Sequence, residues 1–246
     1  MYQNIFLDIK KMKMHIWDDT KGHLEVPFRK YAYVKDGNGQ HVSLYGDRLK
    51  KVTNYDKDDP TLHESDVPPT TRFLVDNYGD SDEMSVGHRI MFFDIEVEVT
   101  DGFPDVQKAQ NVITSIALYD CLTDKYFTYC FDPEKRIKSY TKDDEVVEFY
   151  DTEYEMLNKF FQKYLEIRPT IVSGWNSEFF DIPYLYNRAV RILGPEVANL
   201  LSPISQVLYS EYKKKHTIAG VSSLDYLQLY RQFTFGQKSS YRLDYI

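Results

Sequence analysis

The sequence lacks the features that mark disulfide-rich, thiolate-bound and membrane-spanning proteins. Its 246 residues include 2 cysteines, Cys121 and Cys130, which form neither a disulfide framework nor a CxxC pair. No stretch approaches the run of about 20 apolar residues that a transmembrane helix needs, and the N-terminus has no apolar signal-peptide core. These absences favour a reduced, cytosolic globular protein that makes no membrane contact.

An excess of positive charge is also missing. The formal net charge of −8 gives no bulk electrostatic sign of nucleic-acid binding, so any contact with DNA must be local. Aromatic residues, by contrast, make up 15% of the chain, and such residues serve cores more often than base stacking. The length and the 42% hydrophobic content predict a substantial core, organised in two domains or one large one.

The most informative stretch is an apolar run that predicts a buried strand over residues 89–99. Its alternation places Met91, Phe93 and Ile95 on one face, whereas Asp94 and Glu96 lie on the other. Carboxylates two residues apart on a strand repel each other by roughly 2–3 kcal/mol at an effective dielectric near 20. A divalent metal opposite them would offset this cost, and oxygen-only ligation suits magnesium or manganese. An edge strand with a solvated acidic face explains the same residues without a metal.

Residues 1–88 predict a small β-rich domain. Alternating apolar residues indicate several strands, and Asp36-Gly37-Asn38-Gly39 predicts a hairpin whose returning strand covers Val42–Tyr45. Val67-Pro68-Pro69 predicts the start of a short helix. The stretch 77–87, rich in Gly, Asp, Ser and Asn, is the best linker in the chain, and we predict the domain boundary at its end.

Residues 89–246 predict an α/β domain with a mixed sheet. After the acidic strand, the pattern predicts two antiparallel strands, over 112–119 and 126–131. Thr152-Glu153-Tyr154-Glu155 is a capping box at the start of a helix, and Ile171–Trp175 predicts a short buried strand after it. If this strand neighbours the acidic one, the turn that follows it lies at the sheet edge that carries the two carboxylates.

That turn supplies a third carboxylate. Asp181 stands at the start of the next helix as a predicted N-cap, which alone would explain the residue. An N-cap carboxylate beside two others would also complete a metal cluster. On the helix itself, the spacing predicts that Tyr184, Asn187, Arg188 and Arg191 lie off the core face.

The C-terminal part of the chain predicts a hairpin and a further helix. Val207–Ala219 alternates around Lys213, Lys214 and Lys215, the notable positive cluster of an acidic domain. A lysine run is usually solvated surface, but at a hairpin tip it can meet DNA phosphates. Ser222-Ser223 predicts the cap of the last helix.

Several of these stretches, in this order, resemble the N-terminal region of family B DNA polymerases, of the T-even-like bacteriophage type. Phe93-Asp94-Ile95-Glu96-Val97 resembles the first exonuclease motif of that family. Gly174–Tyr184 resembles the second motif, in which an asparagine is followed shortly by Phe-Asp. Asp101–Pro104, Gly220–Tyr226 and Ser240–Ile246 resemble further phage segments in the expected order.

The resemblance implies a ribonuclease-H-like 3′→5′ proofreading exonuclease domain, preceded by a small β-rich domain. It implies hydrolysis at the 3′ end of DNA with two divalent ions, Mg²⁺ or Mn²⁺, bound by Asp94, Glu96 and Asp181. The expected DNA contacts are Phe103, Asn176, Phe180, Tyr184, Lys213, Lys214 and Lys215. The expected partners are single-stranded or primer–template DNA and the remainder of the polymerase, in cis or in trans, in the host cytoplasm.

One part of the family pattern is missing. The third exonuclease motif, Tyr-x-x-x-Asp on a later helix, is not found after Asp181, and Tyr241-Arg242-Leu243-Asp244 has one residue too few. Because the polymerase motifs are absent too, we expect a front piece of a polymerase that needs a downstream segment for full activity. A non-catalytic DNA-binding or assembly subunit is the main alternative. An unrelated hydrolase that uses Asp94 and Glu96 as an acid–base pair is the third hypothesis.

Overall fold

The computed structural model describes residues 1–100, 102–236 and 238–246. The chain divides into two compact units, residues 1–86 and residues 87–246. The division falls within the polar stretch that the sequence predicts as a linker, while the domain limits themselves stay a prediction. Across the described ranges, no helix combines the length and the apolar character needed to cross a membrane.

The first unit has six strands and one helix among its described residues. These elements are β1 (Tyr2–Asp8), β2 (Lys13–Asp18), β3 (Gly22–Pro27), β4 (Ala32–Lys35), β5 (His41–Val42), β6 (Arg48–Val52) and α1 (Pro69–Tyr78). The strands form two antiparallel sheets, with the orders β1-β2-β3 and β4-β6-β5. Buried Met14, Ile16 and Phe28 form a small core, and α1 begins at Pro69 as the sequence predicts.

The predicted hairpin at Asp36–Gly39 is wrong in its pairing. β6 lies between β4 and β5, so the strands on either side of this turn are not neighbours. Neither Gly37 nor Gly39 has the positive φ that would favour the hairpin turn. Gly39 serves a close approach instead, because a Cβ there would lie 2.2 Å from the carbonyl oxygen of Leu49 in β6.

The second unit is built on one seven-stranded mixed sheet. Its elements are β7 (Ile90–Val97), β8 (Ile113–Asp120), β9 (Lys125–Phe131), β10 (Tyr140–Lys142), β11 (Glu145–Tyr150), α2 (Glu153–Ile167), β12 (Ile171–Gly174), α3 (Asp181–Ile192), α4 (Pro195–Ala198), a 3-10 turn (Asn199–Leu201), β13 (Val207–Ser210), β14 (Lys215–Ile218), β15 (Ser222–Asp225), α5 (Tyr226–Phe233) and a second 3-10 turn (Leu243–Tyr245). The strand order of the sheet is β10-β11-β9-β8-β7-β12-β15, and β13 and β14 form a separate hairpin. This mixed α/β architecture agrees with the predicted fold class.

The alternation predicted for the acidic strand is confirmed. Met91, Phe93 and Ile95 are 0%, 6% and 5% exposed and belong to the main core, whereas Asp94 and Glu96 are exposed on the other face of β7. The core also takes in the apolar sides of α2 and α3. β7 runs antiparallel to β8 on one side and parallel to β12 on the other, which makes it an interior strand of the sheet.

The predicted cap at Ser222-Ser223 is wrong, because both serines lie in β15. This strand pairs in parallel with β12, so a tertiary contact overrides the capping preference of serine. The N-cap of α5 is Asp225, whose carboxylate accepts from the N–H groups of Leu227 and Gln228. The structure also adds two strands that the sequence analysis does not predict, β10 and β11.

Candidate active site

The carboxyl ends of the parallel neighbours β7 and β12 define the candidate site. The two strands pair over residues 90–92, so Asp94 and Glu96 lie beyond the paired stretch, next to the loop that follows β12. Gly174 permits this close contact, because a Cβ there would lie 2.6 Å from the carbonyl oxygen of Phe93. The neighbouring arrangement that the sequence analysis required is therefore present.

Asp181 is the buried member of the three predicted acids. It is 3% exposed, and its Oδ1 accepts a 3.1 Å hydrogen bond from the N–H of Ile95, the residue between Asp94 and Glu96. The prediction that Asp181 is the N-cap of α3 is wrong. Phe180 occupies that position without a side-chain cap, because the carboxylate of Asp181 bonds to β7. All three acids line one open cavity of about 870 Å³.

Burial and mutual repulsion raise the pKa values of two of these carboxyls. Burial, followed by the charge of Asp94, raises the pKa of Asp181 to about 7, while the Ile95 N–H acts in the opposite direction. Burial, followed by the charge of Glu96, raises the pKa of Asp94. A bound divalent cation would favour the ionised form of both groups, and carboxylate oxygens are the donors that magnesium and manganese prefer.

The three acids have suitable donor atoms, but their side chains are not arranged as a complete metal site. Within the described ranges, no group of three or more His, Cys, Asp or Glu side chains is arranged so that it could hold a metal ion. Asp94 and Glu96 are exposed on β7, whereas Asp181 is engaged by the Ile95 N–H.

A β-bulge lies directly beside Glu96. Glu96 pairs with Ser115 and Val97 pairs with Ile113, so Thr114 has no partner in β7 and the register shifts at this point. The hydroxyl of Thr114 donates a 3.1 Å hydrogen bond to the carbonyl oxygen of Glu96. Regular pairing is thus interrupted immediately after Glu96. β-Bulges often occur beside functional sites and interrupt strand pairing there.

Two predicted DNA contacts, Phe103 and Phe180, lie side by side at this cavity. Their ring centroids are 5.2 Å apart with an interplanar angle of 53°, and Phe103 is 81% exposed. Exposed aromatic faces can stack on bases without reading the sequence. Asp101, in the same predicted turn as Phe103, lies outside the described residues.

Asn176 is held in the loop after β12 by a residue that the sequence analysis misses. Its φ of 63° is left-handed, a conformation that asparagine adopts more readily than most residues. The N–H groups of Asn176 and Glu178 each donate a 3.1 Å hydrogen bond to the carboxylate of buried Asp225. Since the same carboxylate caps α5, Asp225 joins the two segments. Its only sequence signal is an aspartate directly before a helix.

The prediction that Tyr184 lies off the core face and contacts DNA is wrong. Its side chain is fully buried, and its hydroxyl donates a 2.8 Å hydrogen bond to the carbonyl oxygen of Asn111. Arg188, which the sequence predicts off the core face, is likewise buried: it is 6% exposed and paired with buried Glu153. Polar partners inside the fold satisfy both side chains, so their polarity does not mark a solvent-facing surface.

The three lysines do not form a uniform basic tip. Lys214 pairs with Glu211 at 3.1 Å, and Lys215 lies within β14 and pairs with Glu178 at 2.8 Å. Lys213 has no ion-pair partner among the residues that the structure describes. Local pairing therefore neutralises part of the positive charge, and none of the three lysines lines the acidic cavity.

Two arginines that the sequence analysis misses line the same cavity. The guanidinium of Arg231 lies 4.4 Å from the ring centroid of Tyr241, and Nη2 of Arg242 lies 3.4 Å from a carboxylate oxygen of Asp244. The indole N–H of Trp175 donates a 2.9 Å hydrogen bond to the carbonyl oxygen of Tyr241. The cavity wall thus carries both signs of charge.

The fold and its acidic cavity agree with a comparison against known families. The model of the DNA polymerase family B exonuclease domain matches residues 80–246, which is more than half of the chain. The chain therefore belongs to DNA polymerase family B and contains the exonuclease domain of that family. The predicted ribonuclease-H-like fold class and the predicted family are both confirmed.

Individual relatives point to T-even-like phages. The chain is 34% identical over 187 residues to a DNA-directed DNA polymerase of Escherichia phage RB69, a match that covers 64% of this chain and 20% of that protein. It is 33% identical over 177 residues to the DNA-directed DNA polymerase of Enterobacteria phage T4, covering 61% and 20% respectively. DNA polymerase 1 of Saccharolobus solfataricus is 32% identical over 145 residues, covering 54% and 16%. The chain spans about a fifth of the length of the phage relatives.

Proposed function

We propose that the second unit is the proofreading 3′→5′ exonuclease part of a DNA polymerase. Its substrate would be the 3′ end of single-stranded DNA or of a frayed primer–template. The observation that carries the proposal is the hydrogen bond between Asp181 and the Ile95 N–H, which ties the third acid to the strand segment between Asp94 and Glu96. The family match and the shared cavity agree with it.

The three acids would bind the metal ions together, and two of them would have a further task. Asp94, Glu96 and Asp181 would hold two divalent ions, which when bound lower the pKa of the attacking water and stabilise the departing 3′ oxygen. Glu96 would also accept a hydrogen bond from the terminal 3′-hydroxyl. Asp181, whose pKa burial raises to about 7, would give up its proton when the site takes up positive charge.

The residues around the cavity would hold the DNA strand. Phe103 and Phe180 would stack on the terminal bases, a contact worth roughly 1–3 kcal/mol per base that suits an editor of any mismatch. Asn176 would position the strand between the aromatic pair and the acids. Lys213 would contribute a phosphate contact from the hairpin.

Full activity is proposed to need one further carboxylate. The family pattern includes a Tyr-x-x-x-Asp motif on a later helix, and this sequence has no such motif after Asp181. A carboxylate from the remainder of the polymerase, in cis or in trans, would complete the ligand set. Supplying this carboxylate should raise the rate of DNA hydrolysis by orders of magnitude.

The decisive test compares two substitutions that each remove one negative charge from neighbouring positions. Asp94→Asn changes a cavity residue, whereas Glu98→Gln changes an exposed carboxylate just beyond β7 that does not line the cavity. When the remainder of the polymerase is supplied in cis or in trans, the wild type and Glu98→Gln should both shorten a 5′-labelled single-stranded oligonucleotide from its 3′ end in Mg²⁺. Asp94→Asn and chelation of the metal should abolish the shortening, and full activity of Asp94→Asn would end the catalytic assignment.

Manganese binding supplies a readout that does not depend on turnover. Binding removes free Mn²⁺ from solution and lowers its EPR signal. The wild type and Glu98→Gln should lower this signal strongly, whereas Asp94→Asn and Asp181→Asn should lower it weakly. Equal manganese binding by all four proteins would remove these acids from the ligand set.

A non-catalytic DNA-binding or assembly function is the alternative. It is favoured by the incomplete ligand arrangement, since within the described ranges no three candidate side chains are arranged to hold an ion. This alternative predicts that wild type and Asp94→Asn bind single-stranded DNA equally well. It also predicts that neither protein shortens the DNA with any divalent cation, even when the rest of the polymerase is supplied.

A further inference from the structure

One side of α3 is bound along its length to the backbone of a neighbouring segment. This connecting segment, residues 106–111, joins the turn that carries Phe103 to β8. Five of its carbonyl groups accept hydrogen bonds from side chains of α3. These bonds run from Asn187 to Val106 (2.9 Å), from Arg191 to Lys108 (3.3 Å), from Arg188 to Ala109 (3.2 Å) and Gln110 (2.6 Å), and from Tyr184 to Asn111 (2.8 Å).

A buried ion pair reinforces this attachment. Nε of Arg188 donates a 2.8 Å hydrogen bond to Oε1 of Glu153, and the same oxygen accepts from the N–H of Ile113 at 2.9 Å. The pair therefore joins α2, α3 and the start of β8 around the connecting segment. Within the segment, buried Ala109 has a left-handed φ of 41°, which residues with a Cβ rarely adopt, so its contacts impose the conformation.

The connecting segment leads directly to the aromatic pair, exposed Phe103 and half-buried Phe180. The ring of Phe180 lies 5.2 Å from that of Phe103 on one side and 5.7 Å from that of Tyr184 on the other. Tyr184 thus supports Phe180 with its ring and holds the connecting segment with its hydroxyl. Between Phe103 and the segment, the Asp105 carboxylate accepts hydrogen bonds from two N–H groups of the following turn.

We propose that Tyr184, Asn187 and Arg188 are positioning residues that hold the connecting segment so that Phe103 and Phe180 can grip a terminal base. The proposal rests on the proposed function for the identity of the ligand. A site that is fixed before binding loses less conformational entropy when the ligand arrives. Loosening the segment should therefore weaken binding and raise KM, while kcat, which depends on the acids, stays unchanged.

Two tyrosines on the same helix provide a matched pair of variants. Tyr184→Phe removes the hydroxyl bound to Asn111 and keeps the ring against Phe180. Tyr186→Phe removes a hydroxyl that instead binds Oδ1 of Asn199 at 3.0 Å. Hydrogen exchange of the full chain should show faster exchange of the backbone N–H groups of residues 102–113 in Tyr184→Phe and no change in Tyr186→Phe. Unchanged exchange in Tyr184→Phe overturns the proposal, whether or not the chain acts on DNA.

A second measurement tests the link to DNA. The probe is a single-stranded oligonucleotide with 2-aminopurine at its 3′ end, whose fluorescence reports stacking of the terminal base. Phe103→Ala should weaken binding on the order of tenfold, and Tyr184→Phe should weaken it about threefold. Because Tyr184 acts through Phe103, the double variant should bind no more weakly than Phe103→Ala alone. A threefold loss that persists without Phe103 overturns the positioning assignment. Failure of the wild type to bind contradicts the proposed function, and the exchange experiment still decides whether α3 holds the segment.

Discussion

Replacing Asp181 by asparagine should stabilise the second unit at neutral pH while it removes the proposed activity. The carboxyl of Asp181 has a pKa of about 7 in the folded protein, against an ordinary value of 3.8. Unfolding therefore releases a proton between these two pH values, so the folded state loses stability as the pH rises through this window. At 1.36 kcal/mol per pKa unit, the full effect is about 4 kcal/mol. Relaxation around a buried charge should leave about 2 kcal/mol of it.

Asparagine is well suited to this test because its side-chain oxygen can still accept the hydrogen bond from the Ile95 N–H. Trp175 fluorescence reports on the second unit once the other tryptophan, Trp17 in the first unit, is replaced by phenylalanine. Urea unfolding without divalent ions should show Asp181→Asn more stable than the parent by about 2 kcal/mol at pH 8. The difference should be smaller at pH 5, where the parent carboxyl is mostly protonated.

Asp132 provides a control of opposite sign within the same unit. The N–H of Ile137, and then contacts with Arg136, lower the pKa of Asp132, so its ionised form stabilises the folded state above the ordinary pKa. Asp132→Asn should therefore be less stable than the parent at pH 8, and this gap should close as the pH falls below about 4. Equal stability of Asp181→Asn and its parent at pH 8, or a gap that narrows as the pH rises, would refute the electrostatic reasoning.

Three further outcomes follow from contacts described above. Asp225→Asn should lower the free energy of unfolding by about 2–3 kcal/mol, because asparagine keeps one acceptor oxygen and its NH₂ group cannot accept the N–H donors of the other carboxylate oxygen. Urea unfolding measures this loss, and no loss would contradict the assigned contacts. Glu153→Gln should cost about 3–5 kcal/mol in the same assay because it leaves Arg188 buried without its counter-charge, and replacing both residues by leucine should recover part of the loss. Lys213→Met should reduce the slope of log affinity for single-stranded DNA against log salt by about 0.7, whereas Lys215→Met, which removes a lysine that is already ion-paired, should leave the slope unchanged. The reverse order of the two slopes would show that the ion pair does not decide which lysine meets phosphate.

The acidic strand could be predicted from the sequence because its information is local. Burial of one face appears as a period of two, so Asp94 and Glu96 could be assigned to the opposite face without knowledge of any partner. The start of α2 is predictable for a similar reason, since the hydroxyl of Thr152 accepts from the Glu155 N–H within one turn. That Asp181 approaches this strand could be stated only on the condition that β7 and β12 are neighbours.

Features that depend on distant partners could not be predicted. β15 has the polar sequence Ser-Ser-Leu-Asp and is a strand because it pairs with β12, far upstream in the chain. The pattern of α3 predicted a solvent-facing side because Tyr184 and Arg188 are polar residue types. Their actual partners are backbone carbonyls and the Glu153 carboxylate, which leave no periodic signal in the sequence. The role of Asp225 is hidden in the same way, because two of its four N–H donors belong to the loop after β12.

The position of β7 between β8 and β12 limits how this site can change during evolution or design. Inserting or deleting a single residue within the strand would exchange the faces of all residues on one side of the change, so Asp94 and Glu96 could not both stay outward while Met91, Phe93 and Ile95 all stay inward. Each apolar side chain that is turned outward costs about 1.5–3 kcal/mol of burial, so such a change would destabilise the domain. The length of β7 around Asp94 and Glu96 is therefore constrained. Altered specificity would have to come from substitutions or from changes in the surrounding loops.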